Sequence, residues 1–198
     1  MVIGSHNSWS FRRARRWWLR PFQFVARCQR VDIRRQYVDY GVRCFDLRIR
    51  FDDDGRLQVA HGPMVYDISR EELDADLAWI DSHGDCYVRV IHEARTERQH
   101  SEVSVKGFVF WCREAMAKYQ GIEFWCGRNL CDWTYDYSFG YSPEPVCEER
   151  YSSVCPPKWF DDWWPWFYAR LNNKWNIKEV QSMDPQPDIL LIDYVNIR

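Results

Sequence analysis

Two histidines in this 198-residue chain stand where strands run out, His6 in GSHNSW and His61 in LQVAHGP. FDLRIR puts Asp46 and Arg48 two residues apart, hence on one face of a strand. RVIHE carries Arg89, His92 and Glu93, CGRN carries Arg128 and Asn129, and LIDY carries Asp193. Singly, each is an ordinary strand-end residue, and a lone histidine there is more often structural than catalytic. Gathered at one rim, they supply two imidazoles, guanidinium groups and several carboxylates, enough for acid–base catalysis on a phosphodiester. Strand phase leaves open whether His92 or Glu93 faces that rim; an inward Arg89 would select Glu93.

The elements that carry these residues must be parallel neighbours for their ends to meet. VIGSH reads as a first strand, and VRCFDLRIRF alternates Phe45, Leu47 and Ile49 against Cys44, Asp46 and Arg48. DDDGR reads as a turn and RLQVAHG as a strand. Ser69 with Glu72 three residues on predicts a capped helix to about Ser82. DCYVRVIHEA is strand-like, VKGFVFWCREAMAKYQ is an amphipathic helix closed by Gly121, and IEFWCG is a further strand. The basic segment up to Tyr40 is expected to be broadly helical with a break at Pro21. Pro165 suits the first position of a helix, and PDILLIDYVNI ends the chain on a strand. Strands alternating with helices predict an α/β fold with parallel pairing, as a TIM-type (β/α) barrel, compact and irregular or incomplete. A doubly wound sheet is disfavoured because no glycine-rich loop follows the first strand. The length is short for eight full units.

Residues 1–198 read as one domain, with 46% apolar and 28% charged residues, the composition of a globular chain. No run approaches the roughly 18 apolar residues of a membrane span. No signal peptide precedes the first strand, which reads as cytoplasmic, or as secreted if a leader has been removed. The net charge of -2 excludes a general polyanion binder, yet Arg12 to Arg35 holds nine arginines and the single acid Asp32. RRARRWWLRPFQF, mixing arginine with tryptophan and phenylalanine, suits an anionic interface, and equally a helix whose arginine stems cover apolar surface. None of the eight cysteines forms a CxxC pair, which leaves a zinc ribbon or thioredoxin-like motif without support. Cys126, Cys131, Cys147 and Cys155 fall in a loop-rich stretch where one or two disulfides would fit. Tyr135 and Tyr137 could flank a polyol, and the tryptophans between Trp159 and Trp175 are core residues by default.

GSHNSW, GVRCFDLRIR and LQVAHGPMVYDISREEL, in that order and spacing, resemble the X-region of phosphatidylinositol-specific phospholipase C, nearer its bacterial branch. The resemblance is best from Gly41 to about Leu73 and loose beyond Glu93. It implies a barrel that cleaves phosphatidylinositol or a related headgroup through a cyclic phosphodiester. In that scheme His6 is the general base on the inositol 2-hydroxyl and His61 the general acid on the leaving oxygen. Arg48 lies against the phosphoryl oxygens, Asp193 orients His6, and Asp46 orients Arg48 or shares that task. Asn7, Glu93, Arg89, Arg128 and Tyr135 are the substrate-binding candidates. The calcium-dependent branch follows its histidine with asparagine, as Asn7 does here, but has carboxylates where this chain has Asp46 and Arg48. An arginine inside a calcium shell would repel the ion, so no cofactor is favoured; calcium on Asn7, Asp46 and Glu93 is the alternative.

The expected partners are a phospholipid or inositol-phosphate substrate and a membrane surface met through Arg12–Phe24, with no obligatory protein partner. Two other functions stay open at the level of sequence. One is a metal-dependent glycerophosphodiesterase or sphingomyelinase D-like enzyme on the same barrel. The other is a catalytically idle barrel that binds anionic lipid or nucleic acid.

Overall fold

Alternation along β2 (Cys44–Phe51) divides the molecule. Phe45, Leu47 and Ile49 join a large apolar cluster with Leu73, Leu77 and Ile80 of helix α2 (Arg70–Asp81) and Phe108, Trp111 and Ala115 of helix α3 (Glu102–Lys118). Cys44, on the opposite face, joins a smaller cluster with Ile189 and Leu191 of the last strand, β9 (Ile189–Ile192). That smaller cluster is an apolar floor, and the polar residues Asp46 and Arg48 continue the same face toward the carboxyl end of β2. The computed structural model describes residues 1–94, 96, 98–128, 139–140, 146–148, 164–184 and 189–197.

The first and last strands are neighbours: β1 (Val2–Ser5) lies between β2 and β9, parallel to both. β2 pairs on its other edge with β5 (Cys86–His92), and β5 with β6 (Ile122–Arg128), again in parallel. β3 (Leu57–His61) folds back antiparallel on the upper end of β2 and carries β4 (Met64–Val65). β7 (Phe139–Gly140) adds antiparallel to β6, and β8 (Val146–Glu148) parallel to β9. The order is β7-β6-β5-β2-β1-β9-β8. Among the described residues β7 and β8 are not paired, so the sheet is not a closed barrel. The expectation of an α/β fold with parallel pairing is met in the central strands. Of the expected TIM-type barrel, irregular or incomplete, the described residues show an α/β sheet that does not close. One cause is visible in the order of elements, since β3 and β4 form an antiparallel appendage instead of a further parallel unit.

Gly4 permits the close approach at the centre of β1. A Cβ there would collide with Leu191 Cδ2 and lie 3.0 Å from Cys44 Cβ. Helix starts follow local chemistry. Asp32 caps α1 (Ile33–Tyr40) by accepting from Arg35 N–H, and both bonds of the Ser69–Glu72 capping box are present on α2. Pro165 opens α4 (Pro165–Gln181). α3 ends at Lys118, short of Gly121, whose N–H is taken by Asp81.

The basic segment departs from the expected helix. Ser8–Phe11 and Trp17–Val25 are 3₁₀ turns, and only Ile33–Tyr40 is α-helical. Pro21 removes a donor inside the second turn, and only Gln23 of that turn is buried, so its apolar side chains gain no packed face that would drive an α-helix. Among the described residues no helix is long and apolar enough to cross a membrane.

Candidate active site

β1 stops pairing with β2 at Phe45, and β3 takes up the same edge only at Ile49, so that edge has no neighbouring strand over Asp46–Arg48. The chain leaving β1 fills the gap. Ser8 Oγ accepts from the Asp46 N–H at 2.8 Å and donates to the Ser5 carbonyl, also at 2.8 Å. Asn7 adopts a left-handed backbone with φ of 45°, which asparagine tolerates, and its N–H donates to Asp46 Oδ2 at 2.9 Å. This tight turn fixes His6. The His6 N–H bonds to the Ile192 carbonyl at 3.0 Å, and Gln29 Nε2 donates to the carbonyls of both His6 and Ile192.

The His6 ring bridges three elements. Nδ1 lies 2.9 Å from Asp193 Oδ1, just past β9, and Nε2 is within hydrogen-bond distance of Arg48 Nη2 on β2. A guanidinium can only donate, so Nε2 accepts and the ring proton sits on Nδ1, facing the carboxylate. Arg48 is itself held at both sides: Nε donates to Asp46 Oδ2 at 2.8 Å, and Nη1 lies 3.6 Å from Glu93 Oε2. Arg89 adds a second cation 3.7 Å from Asp46 Oδ1. Burial would raise the Asp46 pKa, but Arg48, Arg89, His6 and the Asn7 N–H outweigh it and hold the carboxyl well below the usual carboxylate range.

His61 approaches from the β3 side, its ring 5.9 Å from that of His6 between centroids and nearly perpendicular to it. Its Nδ1 donates to the Ala26 carbonyl at 3.0 Å, and that carbonyl also accepts from Tyr66 OH at 2.7 Å. The turn after His61 is braced twice, by Glu93 Oε1 accepting from the Gly62 N–H and by Arg50 donating to the Gly62 carbonyl. Burial first, then the Arg48 charge, lowers the His61 pKa from its usual 6.5 to about 4. At neutral pH the free site therefore holds His61 as a neutral imidazole with its Nε2 lone pair available.

The structure thus brings His6, Asp46, Arg48, His61, Arg89, Glu93 and Asp193 together. His92 points the other way, with Nε2 2.9 Å from Ser104 Oγ and its ring against Phe108 beneath α3. Asn7 is buried with its amide donating to Tyr66 OH, which gives it a part in holding the turn. Arg128 ends β6 level with His92; its side chain, with Asn129, Tyr135, Tyr137, Trp159 and Trp163, lies outside the described residues. So do the sulfurs of Cys126, Cys131, Cys147 and Cys155, while Cys28, Cys44, Cys86 and Cys112 are thiols that form no disulfide. Ser8, Gln29, Tyr66 and Cys28 were not singled out by sequence pattern. Ser8 alone carried a signal there, as a polar neighbour of His6. Gln29 and Cys28 lie in irregular chain after the Trp17–Val25 turn, where no periodic pattern points to them.

No protein-family model matches this chain, and no curated protein does. Solved structures do. A phosphatidylinositol-specific phospholipase C from Listeria monocytogenes superimposes with a TM-score of 0.63 at 13% identity, over 98% of this chain and 87% of that one. The H258Y mutant of the phosphatidylinositol-specific phospholipase C from Staphylococcus aureus gives 0.64 at 14% identity, over 98% and 84%. The chain shares the fold of these bacterial proteins along nearly its whole length.

Proposed function

We propose that this chain is a phosphodiesterase that cleaves phosphatidylinositol or a related phospholipid headgroup. The observation that carries the reading is the line Asp193–His6–Arg48 with His61 facing it, in a fold shared with bacterial phosphatidylinositol-specific phospholipases C. In this scheme His6 Nε2 takes the proton of the inositol 2-hydroxyl as that oxygen attacks phosphorus. Asp193 keeps the proton on Nδ1 and stabilises the imidazolium that forms. Arg48 first caps Nε2; an incoming phosphodiester draws the guanidinium onto its oxygens and frees the lone pair. His61, protonated once the phosphate anion offsets its neighbours' positive charge, delivers a proton to the leaving diacylglycerol oxygen. The product is a cyclic inositol phosphate.

The scheme uses no metal. A guanidinium held between Asp46 and Glu93 in the free site supplies positive charge where a calcium shell would need carboxylate oxygens, and it would repel the ion. The same arrangement counts against the metal-dependent glycerophosphodiesterase reading. The finer architecture we infer is an incomplete (β/α) barrel, because the first strand is flanked by the last, the neighbour relation a barrel requires. Trp17, Trp18, Phe22 and Phe24 are exposed on the turn that leads to Ala26, the carbonyl partner of His61. We infer that this turn meets the lipid surface beside the mouth.

The test is phosphatidylinositol cleavage by wild type and His6→Ala, with excess chelator and with added calcium. Turnover that survives chelator and falls about 10²- to 10⁴-fold in the variant supports the scheme. Turnover only with calcium overturns the metal-free assignment, and equal turnover in the variant overturns His6 as base.

A further inference from the structure

The mechanism proposed above makes no use of Cys28, yet this thiol stands at the centre of the site. One ligand atom each of His6, Cys28 and Asp193 lie within 4.8 Å of one another, the one group of three such residues that brackets a common point among the described residues. Cys28 Sγ is also 3.9 Å from His61 Nδ1. His6 Nε2 faces Arg48, so Nδ1, beside Asp193, is the nitrogen turned toward this point. Tetrahedral zinc with bonds of about 2.0–2.3 Å sets its ligand atoms roughly 3.5 Å apart, which sub-ångström to ångström side-chain shifts would reach. Sulfur, imidazole and carboxylate together suit a borderline-soft ion and suit calcium or magnesium poorly.

We propose that His6, Cys28 and Asp193 form a site for a zinc-class divalent ion, and that the ion switches the active site off. Binding takes the Nδ1 lone pair, moves the ring proton to Nε2 and releases the Cys28 thiol proton. Nε2 then has no lone pair for a substrate hydroxyl, and its new N–H opposes Arg48. The thiolate and the Asp193 carboxylate balance the ion's two charges. The rest of the Cys28 residue is held independently of its sulfur. Its N–H and that of Gln29 donate to Ser10 Oγ at 3.0 and 2.8 Å, and its carbonyl accepts from the Tyr194 N–H. A Cys28→Ser chain should therefore keep the fold.

The switch rests on the proposed catalytic role of His6, but the metal site does not, and the experiment separates them. Metal-stripped wild type, Cys28→Ser and Cys28→Ala are titrated with Co²⁺ and followed by absorption, then with Zn²⁺ by calorimetry; circular dichroism checks the fold. Wild type should bind one ion with a thiolate-to-cobalt charge-transfer band that zinc abolishes. Both variants should lose the band and bind zinc at least about tenfold more weakly. A wild type without the band, or variants that keep it, overturns the site. In phosphatidylinositol turnover, zinc should inhibit wild type reversibly to chelator and spare Cys28→Ser at the same concentration. Equal inhibition of both overturns the switch. A chain that shows the band but cleaves no phosphatidylinositol keeps the metal site and loses the catalytic reading.

Discussion

At the scale of residues, the site is a balance among buried charges. Asp46 and Glu93 are fully buried, and Arg48 and Arg89 nearly so, so each charge relies on its neighbours to offset lost hydration. Replacing Arg48 by alanine would remove one cation shared by two buried carboxylates, leaving Asp46 with Arg89 and Glu93 with the Gly62 N–H. We expect destabilisation of about 1–3 kcal/mol, read as a lowered melting temperature. Arg48→Lys keeps the charge but not the fork that spans Asp46, Glu93 and His6. It should remain folded in a thermal melt while losing most turnover. His61 offers a sharper check. Its pKa of about 4 in the free protein should appear as an imidazole titration near that pH by NMR. If His61 is the acid, the basic limb of kcat/KM, which reports free protein, should lie below that of kcat, which reports the substrate complex. Coincident limbs would remove His61 from that role. The sequence pattern puts His6, Asp46, Arg48, His61 and Asp193 at strand ends that meet. His6, His61 and Asp193 do lie there, whereas Asp46 and Arg48 sit within β2 where β1 stops, and His61 arrives on the antiparallel β3. The pattern could not resolve His92 from Glu93, because one residue of strand phase turns a side chain from the mouth to the helices.

At the scale of elements, the site exists because β1 is short. The edge of β2 left open above Phe45 is where Ser8 and Asn7 enter, and a longer β1 would carry His6 past Asp193. Ser8→Ala leaves the Asp46 N–H without its partner and should cost about 1–3 kcal/mol, read as a lowered denaturant midpoint, with turnover falling further than stability predicts. Gly4→Ala tests the floor beneath the site. Its methyl group meets Leu191 and Cys44, so destabilisation of about 1–3 kcal/mol is expected in the same measurement. A neutral outcome would mean that β9 can move away from β1 freely, and that the Asp193 contact does not depend on their packing. Elements with a strict local signal are legible in the sequence: β2 by alternation, α2 by its capping box, α4 by Pro165. The Trp17–Val25 turn is not, because its apolar residues follow a helical period that the fold leaves exposed and Pro21 interrupts. β4, β7 and β8 are illegible for another reason, being two or three residues long and fixed by their neighbours rather than by their own pattern.

At the scale of the whole molecule, charge governs both stability and approach to a surface. Asp46 is more acidic folded than unfolded, so it stabilises the fold above about pH 4 and that contribution fades as pH falls. His61 is neutral in the fold where the unfolded chain would already bind a proton, so between its usual 6.5 and about 4 the unfolded state takes up more protons. Both effects weaken the fold on acidification. Melting temperature should drop from pH 7 to 4, and His61→Gln should flatten the upper part of that fall; a variant with an unchanged slope would contradict the His61 shift. The surface is asymmetric as well. A chain with net charge -2 concentrates nine arginines between Arg12 and Arg35, and there Trp17 is 72% and Trp18 51% exposed. Arg16 lies over the Trp18 ring, and Phe24 meets Trp164 at a tilt, with ring centroids 5.7 Å apart, which joins the start of α4 to the same patch. In the proposed membrane contact, such arginines would draw the patch to anionic headgroups, and the indole rings would insert at the boundary with the acyl chains. The Trp17→Ala, Trp18→Ala double variant should therefore bind anionic vesicles at least about tenfold more weakly in flotation, while its hydrolysis of a short-chain, monomeric substrate is unchanged. Added salt should weaken wild-type binding to anionic vesicles and leave the smaller binding to neutral ones alone. Vesicle binding that ignores both the tryptophans and salt would mean that this face is not how the chain meets lipid.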